Sequence, residues 1–129
     1  ILTFILDTLK PDYIDGLTLL GGEPLELENQ GAVLDIISAV KQTYPNKTIW
    51  LYTGSTWEQL MDSITNKMQP LLVPILNQID VLVDGPFINE EKDIRLNFRG
   101  SRNQRIIDVK ESLKTNQIVL FKDAYETKK

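Results

Sequence analysis

The sequence predicts an α/β domain. Helical stripes of apolar residues alternate along it with short β-rich runs. Three of those runs stop at a glycine, at Gly21, Gly54 and Gly85. At 129 residues the chain is long enough for one domain with a real core.

Each element has its own signal. Leu2, Ile5, Leu6 and Leu9 carry the stripe of an amphipathic helix, which Lys10 and Pro11 close. Leu17 to Leu20 reads as a buried strand, ending at Gly21-Gly22-Glu23-Pro24. A helix that runs straight into a buried strand is the second half of a βαβ unit, so a further strand is expected before Ile1. Glu26 and Glu28 suit a helix N-terminus, and Val33, Ile36, Ile37 and Val40 continue that helix to Tyr44-Pro45-Asn46. Thr48 to Thr53 is rich in β-branched and aromatic residues. Ser55 to Glu58 fits a capping box with Ser55 as cap, opening a helix marked by Trp57, Leu60, Met61 and Ile64. Between Lys67 and Asn77, Pro70 suits a helix start, whereas Pro74 would bend or end one. Asp80 to Asp84 reads as a third buried strand, Arg105 to Val109 as a fourth, and Ile118 to Phe121 as a short edge strand. Tyr125 to Lys129 is expected to fray, and residues 111–129 to form a peripheral extension of the single domain 1–129.

Composition narrows the chemistry. A net charge of −4 argues against nucleic acid as a partner. No apolar run approaches the about 20 residues of a membrane span, and a cytoplasmic location is expected. The sequence has no cysteine and no histidine, which removes the commonest nucleophiles, acid/base groups and transition-metal ligands.

What remains is backbone geometry and carboxylates. Pro24 stiffens the turn after Gly21-Gly22 and biases Glu23 towards an extended conformation. Such a turn is more often plain chain reversal than a ligand cradle beyond a strand's carboxyl end, so taken alone it is a weak signal. Small residues at the ends of three successive strands would leave an open floor for a ligand at one edge of the sheet. Arg95, Arg99, Arg102 and Arg105 either clamp an anion or pair with Glu90, Glu91 and Asp93 in a solvated loop.

Taken together, Leu20-Gly21-Gly22-Glu23-Pro24-Leu25, Trp50-Leu51-Tyr52-Thr53-Gly54, Asp80 to Phe87 and Asn97 to Arg105 resemble one family. It is the glycyl-radical activating enzymes of the radical S-adenosylmethionine superfamily, in particular the activating proteins of anaerobic ribonucleoside-triphosphate reductase. The resemblance runs from about Ile1 to Val109 in order and spacing. It implies a partial, open α/β barrel with S-adenosylmethionine across the carboxyl ends of the strands. Gly21, Gly22, Glu23 and Pro24 would then meet the methionine amino group, with Thr53, Gly54, Asp84 and Gly85 lining the same site. An ammonium group seeks carbonyl and carboxylate oxygens, which suits such a turn.

The family also implies a [4Fe–4S] cluster on three cysteines in a CxxxCxxC loop after the first strand. Neither that strand nor that loop is in this sequence, so both are expected before Ile1, and the 129 residues alone are expected to be inactive. The implied activity is generation of a glycyl radical on the reductase, with an electron donor such as flavodoxin as second partner. The alternative is a cluster-less α/β module that binds without catalysis. A flavodoxin-like phosphate binder fits less well, because an acid stands where phosphate would bind.

Overall fold

The computed structural model describes residues 2–20 and 23–125. In chain order the elements are α1 (Leu2–Leu9), β1 (Gly16–Leu19), α2 (Leu27–Thr43), β2 (Thr48–Tyr52), α3 (Trp57–Thr65), α4 (Leu72–Leu76), β3 (Val81–Asp84), β4 (Arg105–Asp108), α5 (Val109–Thr115) and α6 (Lys122–Tyr125). A short 3-10 turn covers Asn89–Glu91. The α/β class is therefore as expected. Four strands form one open sheet in the order β1-β2-β3-β4. β1, β2 and β3 run parallel and β4 returns antiparallel to β3.

Strand alternation sorts side chains to the two faces. Leu17 and Leu19, Ile49 and Leu51, Leu82 and Ile107 point to the helical side, where Val33, Ile37 and Val40 of α2, Leu60 of α3 and Leu72, Ile75 and Leu76 of α4 complete the main core. The opposite face holds a smaller cluster of Val81, Val83, Ile106 and Ala124, against which Trp50, Tyr52 and Phe121 pack. Phe98 and Phe121 flank the Trp50 ring at centroid distances of 5.1 and 5.6 Å. Beside them the β1 half of this face lies open, as a groove of about 410 Å³ lined by Tyr13, Thr18, Thr48, Trp50, Tyr52 and Phe98.

Two glycines are required by geometry. A Cβ on Gly16 would lie 2.0 Å from the Thr48 carbonyl oxygen, so β1 approaches β2 only because there is none. Gly85 has φ +94°, in the left-handed region that glycine adopts without strain.

Several boundaries differ from those the sequence predicts. The cap of α3 is Thr56, not Ser55: Thr56 Oγ1 accepts from Gln59 N at 3.1 Å and Gln59 Oε1 accepts from Thr56 N at 2.8 Å. Ser55 is held in the preceding turn, because its carbonyl accepts from Gly85 N at 2.9 Å. Pro74 is tolerated in α4 because it falls in the first turn, where N–H groups have no intrahelical acceptor. The fourth strand stops at Asp108, whose carboxylate caps α5 through Glu111 N at 3.1 Å, so Val109 begins a helix. Ile118 to Phe121 forms an isolated antiparallel bridge, Ile107 to Leu120, and no full strand. Beyond it Ala124 of α6 is buried on the second face of the sheet. Of the tail expected to fray, Tyr125 is helical and 126–129 lie outside the described residues.

Among the described residues no helix is long and apolar enough to cross a membrane.

Candidate functional site

The carboxyl ends of β1, β2 and β3 lie side by side, because the three strands are parallel neighbours. The turns that leave them come together there. Of the residues singled out in the first turn, Gly21 and Gly22 lie outside the described residues. Pro24 is buried and Glu23 half-buried.

The Glu23 side chain reaches across to the end of β2. Its carboxylate accepts from Thr53 Oγ1 at 2.9 and 3.1 Å and from Gly54 N at 2.6 Å. It also accepts from Leu25 N at 2.8 Å, which folds the turn back on itself. The Glu23 carbonyl is taken as well, by Glu26 N and Asn29 Nδ2, each at 3.0 Å. Thr53 is buried. Its hydroxyl accepts from Ser55 N at 3.1 Å, which leaves its single proton for Glu23. A Cβ on Gly54 would stand 3.3 Å from Glu23 Oε1, so the absence of a side chain there lets the carboxylate settle on the amide.

Asp84 closes β3 with a carboxylate that is only 1% exposed. Four protein donors meet it: Trp57 N at 2.8 Å, and Arg105 N at 3.2 Å, Nε at 3.1 Å and Nη2 at 2.5 Å. Trp57 N belongs to the first turn of α3, where a carboxylate satisfies an otherwise unpaired amide. Arg105 extends outward to Glu58, at 2.6 and 3.1 Å. The hydrogen bonds to Asp84 and then Glu58 raise the Arg105 pKa, and the bond from Arg105 is the main reason that of Glu58 is lowered. Asp84 and Glu23 are therefore joined through the turn between them and share no direct bond among those present. Gly85 is buried and backs onto Asn103.

Beside the Glu23 turn runs a groove of about 460 Å³ lined by Glu23, Leu25, Glu26, Leu27, Glu28, Ser55 and Gln69. It contains three carboxylates and no cationic side chain, so its field favours a cation. One residue here escaped the sequence reading. Gln30, 1% exposed on α2, donates from Nε2 to Leu25 O and to Gln69 Oε1, each at 2.8 Å. A glutamine among the otherwise apolar buried residues of that helix was the available signal.

The four arginines do not form one clamp. Arg95 pairs with Asp93 at 2.9 Å and lowers the Asp93 pKa to about 2. Arg99 donates to the carbonyls of Arg102 and Gln104 and stacks over Tyr125 at 4.9 Å. Arg102 is exposed, and Arg105 is committed to Asp84 and Glu58.

A family model described as a 4Fe-4S single cluster domain matches residues 1–107. The chain is 48% identical over 91 residues to the anaerobic ribonucleoside-triphosphate reductase-activating protein of Vibrio cholerae, which covers 70% of this chain and 54% of that protein. To the protein of the same name from Haemophilus influenzae it is 41% identical over 104 residues, 79% of this chain and 62% of that one. The counterpart from Enterobacteria phage T4 is 36% identical over 98 residues, 76% and 56% of the two chains. The chain thus spans between half and two thirds of the length of these relatives. No solved structure matches it.

The residues present do not fit an iron–sulfur cluster. The sequence has neither cysteine nor histidine, and among the described residues no group of three His, Cys, Asp or Glu is placed to hold a metal ion. The matched residues 1–107 run through β1, β2 and β3 and the turns that leave them. By this match, the chain belongs to the 4Fe-4S single cluster domain family.

Proposed function

We propose that this chain is the S-adenosylmethionine-binding part of an activating protein for anaerobic ribonucleoside-triphosphate reductase. The observation that carries the reading is the Glu23 turn, clasped by Thr53 and Gly54 at the carboxyl ends of adjacent parallel strands and flanked by an acidic groove. The names of the relatives point the same way. S-adenosylmethionine carries an ammonium and a sulfonium group, so a groove with three carboxylates and no cation suits its charge.

In this reading Gly21 to Pro24 meet the methionine end, and Thr53, Gly54 and Gly85 complete the floor. Asp84 acts at the same strand end with its carboxylate already engaged by protein donors. When bound, S-adenosylmethionine supplies the radical chemistry, and this chain's own work is to bind it, orient it and keep water away. The cluster that makes the complete protein an activase takes its thiolates from outside these 129 residues. The open sheet is then part of a partial barrel. The reductase's glycine is the target, a donor such as flavodoxin the source of the electron, and the cytoplasm the location.

A second reading is favoured by one observation, the lack of any cysteine: a cluster-less module of the same fold that binds without catalysis. Anaerobic preparation of the complete protein separates the two. Bound iron, cleavage of S-adenosylmethionine and a glycyl radical on the reductase, seen by electron paramagnetic resonance, are expected. S-adenosylmethionine binding with neither iron nor cleavage would favour the module.

A further inference from the structure

The turn that carries Thr53 and Gly54 is tied to β3 at three points. Thr53 N donates to Val83 O at 3.0 Å, Gly85 N donates to Ser55 O at 2.9 Å, and Trp57 N donates to Asp84 Oδ2 at 2.8 Å. The third is the only one made by a side chain, and that side chain is oriented from β4. Arg105 grips both Asp84 oxygens, with Nε on Oδ1 and Nη2 on Oδ2, while its other face meets Glu58 at the start of α3. A guanidinium engaged at both carboxylate oxygens fixes the plane of the carboxylate, which a single-point ammonium does not.

From Asp84 the connection continues inward. Trp57 N fixes the end of the turn. Ser55, held by Gly85 N, directs its own N–H to Thr53 Oγ1, and that hydroxyl gives its proton to Glu23. We infer that Arg105 is a positioning residue for the Glu23 turn, acting through Asp84 and the Thr53–Trp57 turn on the group that would receive the amino-acid end of the ligand. This rests on the S-adenosylmethionine reading of the site. Arg105 itself meets Asp84 and Glu58, and it lies outside the residues assigned to ligand contact.

The test compares two ligands on the complete protein, prepared anaerobically and titrated calorimetrically well below its unfolding temperature. One is S-adenosylmethionine. The other is 5′-methylthioadenosine, which keeps the nucleoside and sulfur but lacks the amino-acid arm. Arg105→Lys keeps a positive charge beside the buried Asp84 and loses the fork. It should weaken S-adenosylmethionine by about tenfold, the scale seen when supporting residues of a site are altered, and leave methylthioadenosine nearly unchanged. Arg105→Met should widen that gap. Should either variant fail to fold, Arg105→Gln is read by the same criterion.

Equal binding of S-adenosylmethionine by wild type and variants would overturn the inference. So would equal weakening of both ligands, which would mark Arg105 as a general structural support. If the wild type binds neither ligand, the S-adenosylmethionine reading itself fails, and the inference falls with it.

Discussion

β3 is bracketed by two aspartates that solve the same problem differently. Asp80, just before the strand, accepts from Lys41 Nζ and from Ile49 N, each at 2.8 Å, with Lys110 Nζ at 3.6 Å. Asp84, at the other end, accepts from Trp57 N and is gripped by Arg105. Each carboxylate stitches β3 to a neighbouring backbone. The difference is solvent: the Asp80 side chain is 18% exposed and has two lysines near it, whereas that of Asp84 is 1% exposed and has one guanidinium. A carboxylate with water and a spare cation nearby tolerates the loss of a partner. One sealed in the interior does not. The strict arrangement stands at the carboxyl end of β3, beside the proposed ligand site, and the forgiving one at its amino end.

Breaking the inner pair should have the largest effect. Arg105→Met strands a buried carboxylate, and unfolding in denaturant should show a loss of about 3 kcal/mol. Adding Asp84→Asn to that variant should recover part of the loss, because the stranded charge is gone. A double variant as unstable as the single one would mean that packing of the arginine stem, and not charge, dominates. Lys41→Met should cost less, about 1 kcal/mol, since Lys110 and solvent still serve Asp80. A cost equal to that of Arg105→Met would erase the contrast between the two ends.

The smallest effect concerns Asp93, whose ion pair with Arg95 lies on the surface. Hydrogen bonds from Arg95 hold its pKa at about 2, below the ordinary 3.8. A carboxylate whose folded-state pKa is depressed stabilises the fold above its ordinary value and loses that contribution as pH falls from there through about 2. Arg95→Ala should bring the Asp93 titration, followed by carboxyl NMR shifts, back towards the ordinary value. It should leave stability at neutral pH almost unchanged, since exposed pairs are screened. A titration that stays put would assign the depression to another group.

Much of this was legible in the chain. The alternation of stripes and β-rich runs placed the strands to within a residue or two, because periodic burial leaves a periodic sequence. Glu23, Thr53 and Gly54 were singled out from separate stretches, and the structure brings them into one hydrogen-bonded group. The misplaced cap on α3 had two adjacent hydroxyl residues to choose from, and local sequence could not say which one a distant Gly85 would hold. The fourth strand was found but its end was not, because Val109 is as apolar as a strand residue and becomes helical only after Asp108 caps it.

The sequence by itself determined the α/β class, the glycines at the strand ends, the absence of thiolate and imidazole ligands, and the family whose motifs it carries. These depend on residue type and near-neighbour spacing, which the chain states directly. Tertiary structure alone decided that Glu23 meets Thr53, 30 residues away, and that Arg105 meets Asp84 at a separation of 21. It also decided that three of the four clustered arginines turn to different partners while Arg102 stays exposed. Hydrogen-bond partnership depends on which strand lies beside which, and that is settled only when burial of the whole core fixes the order of the sheet.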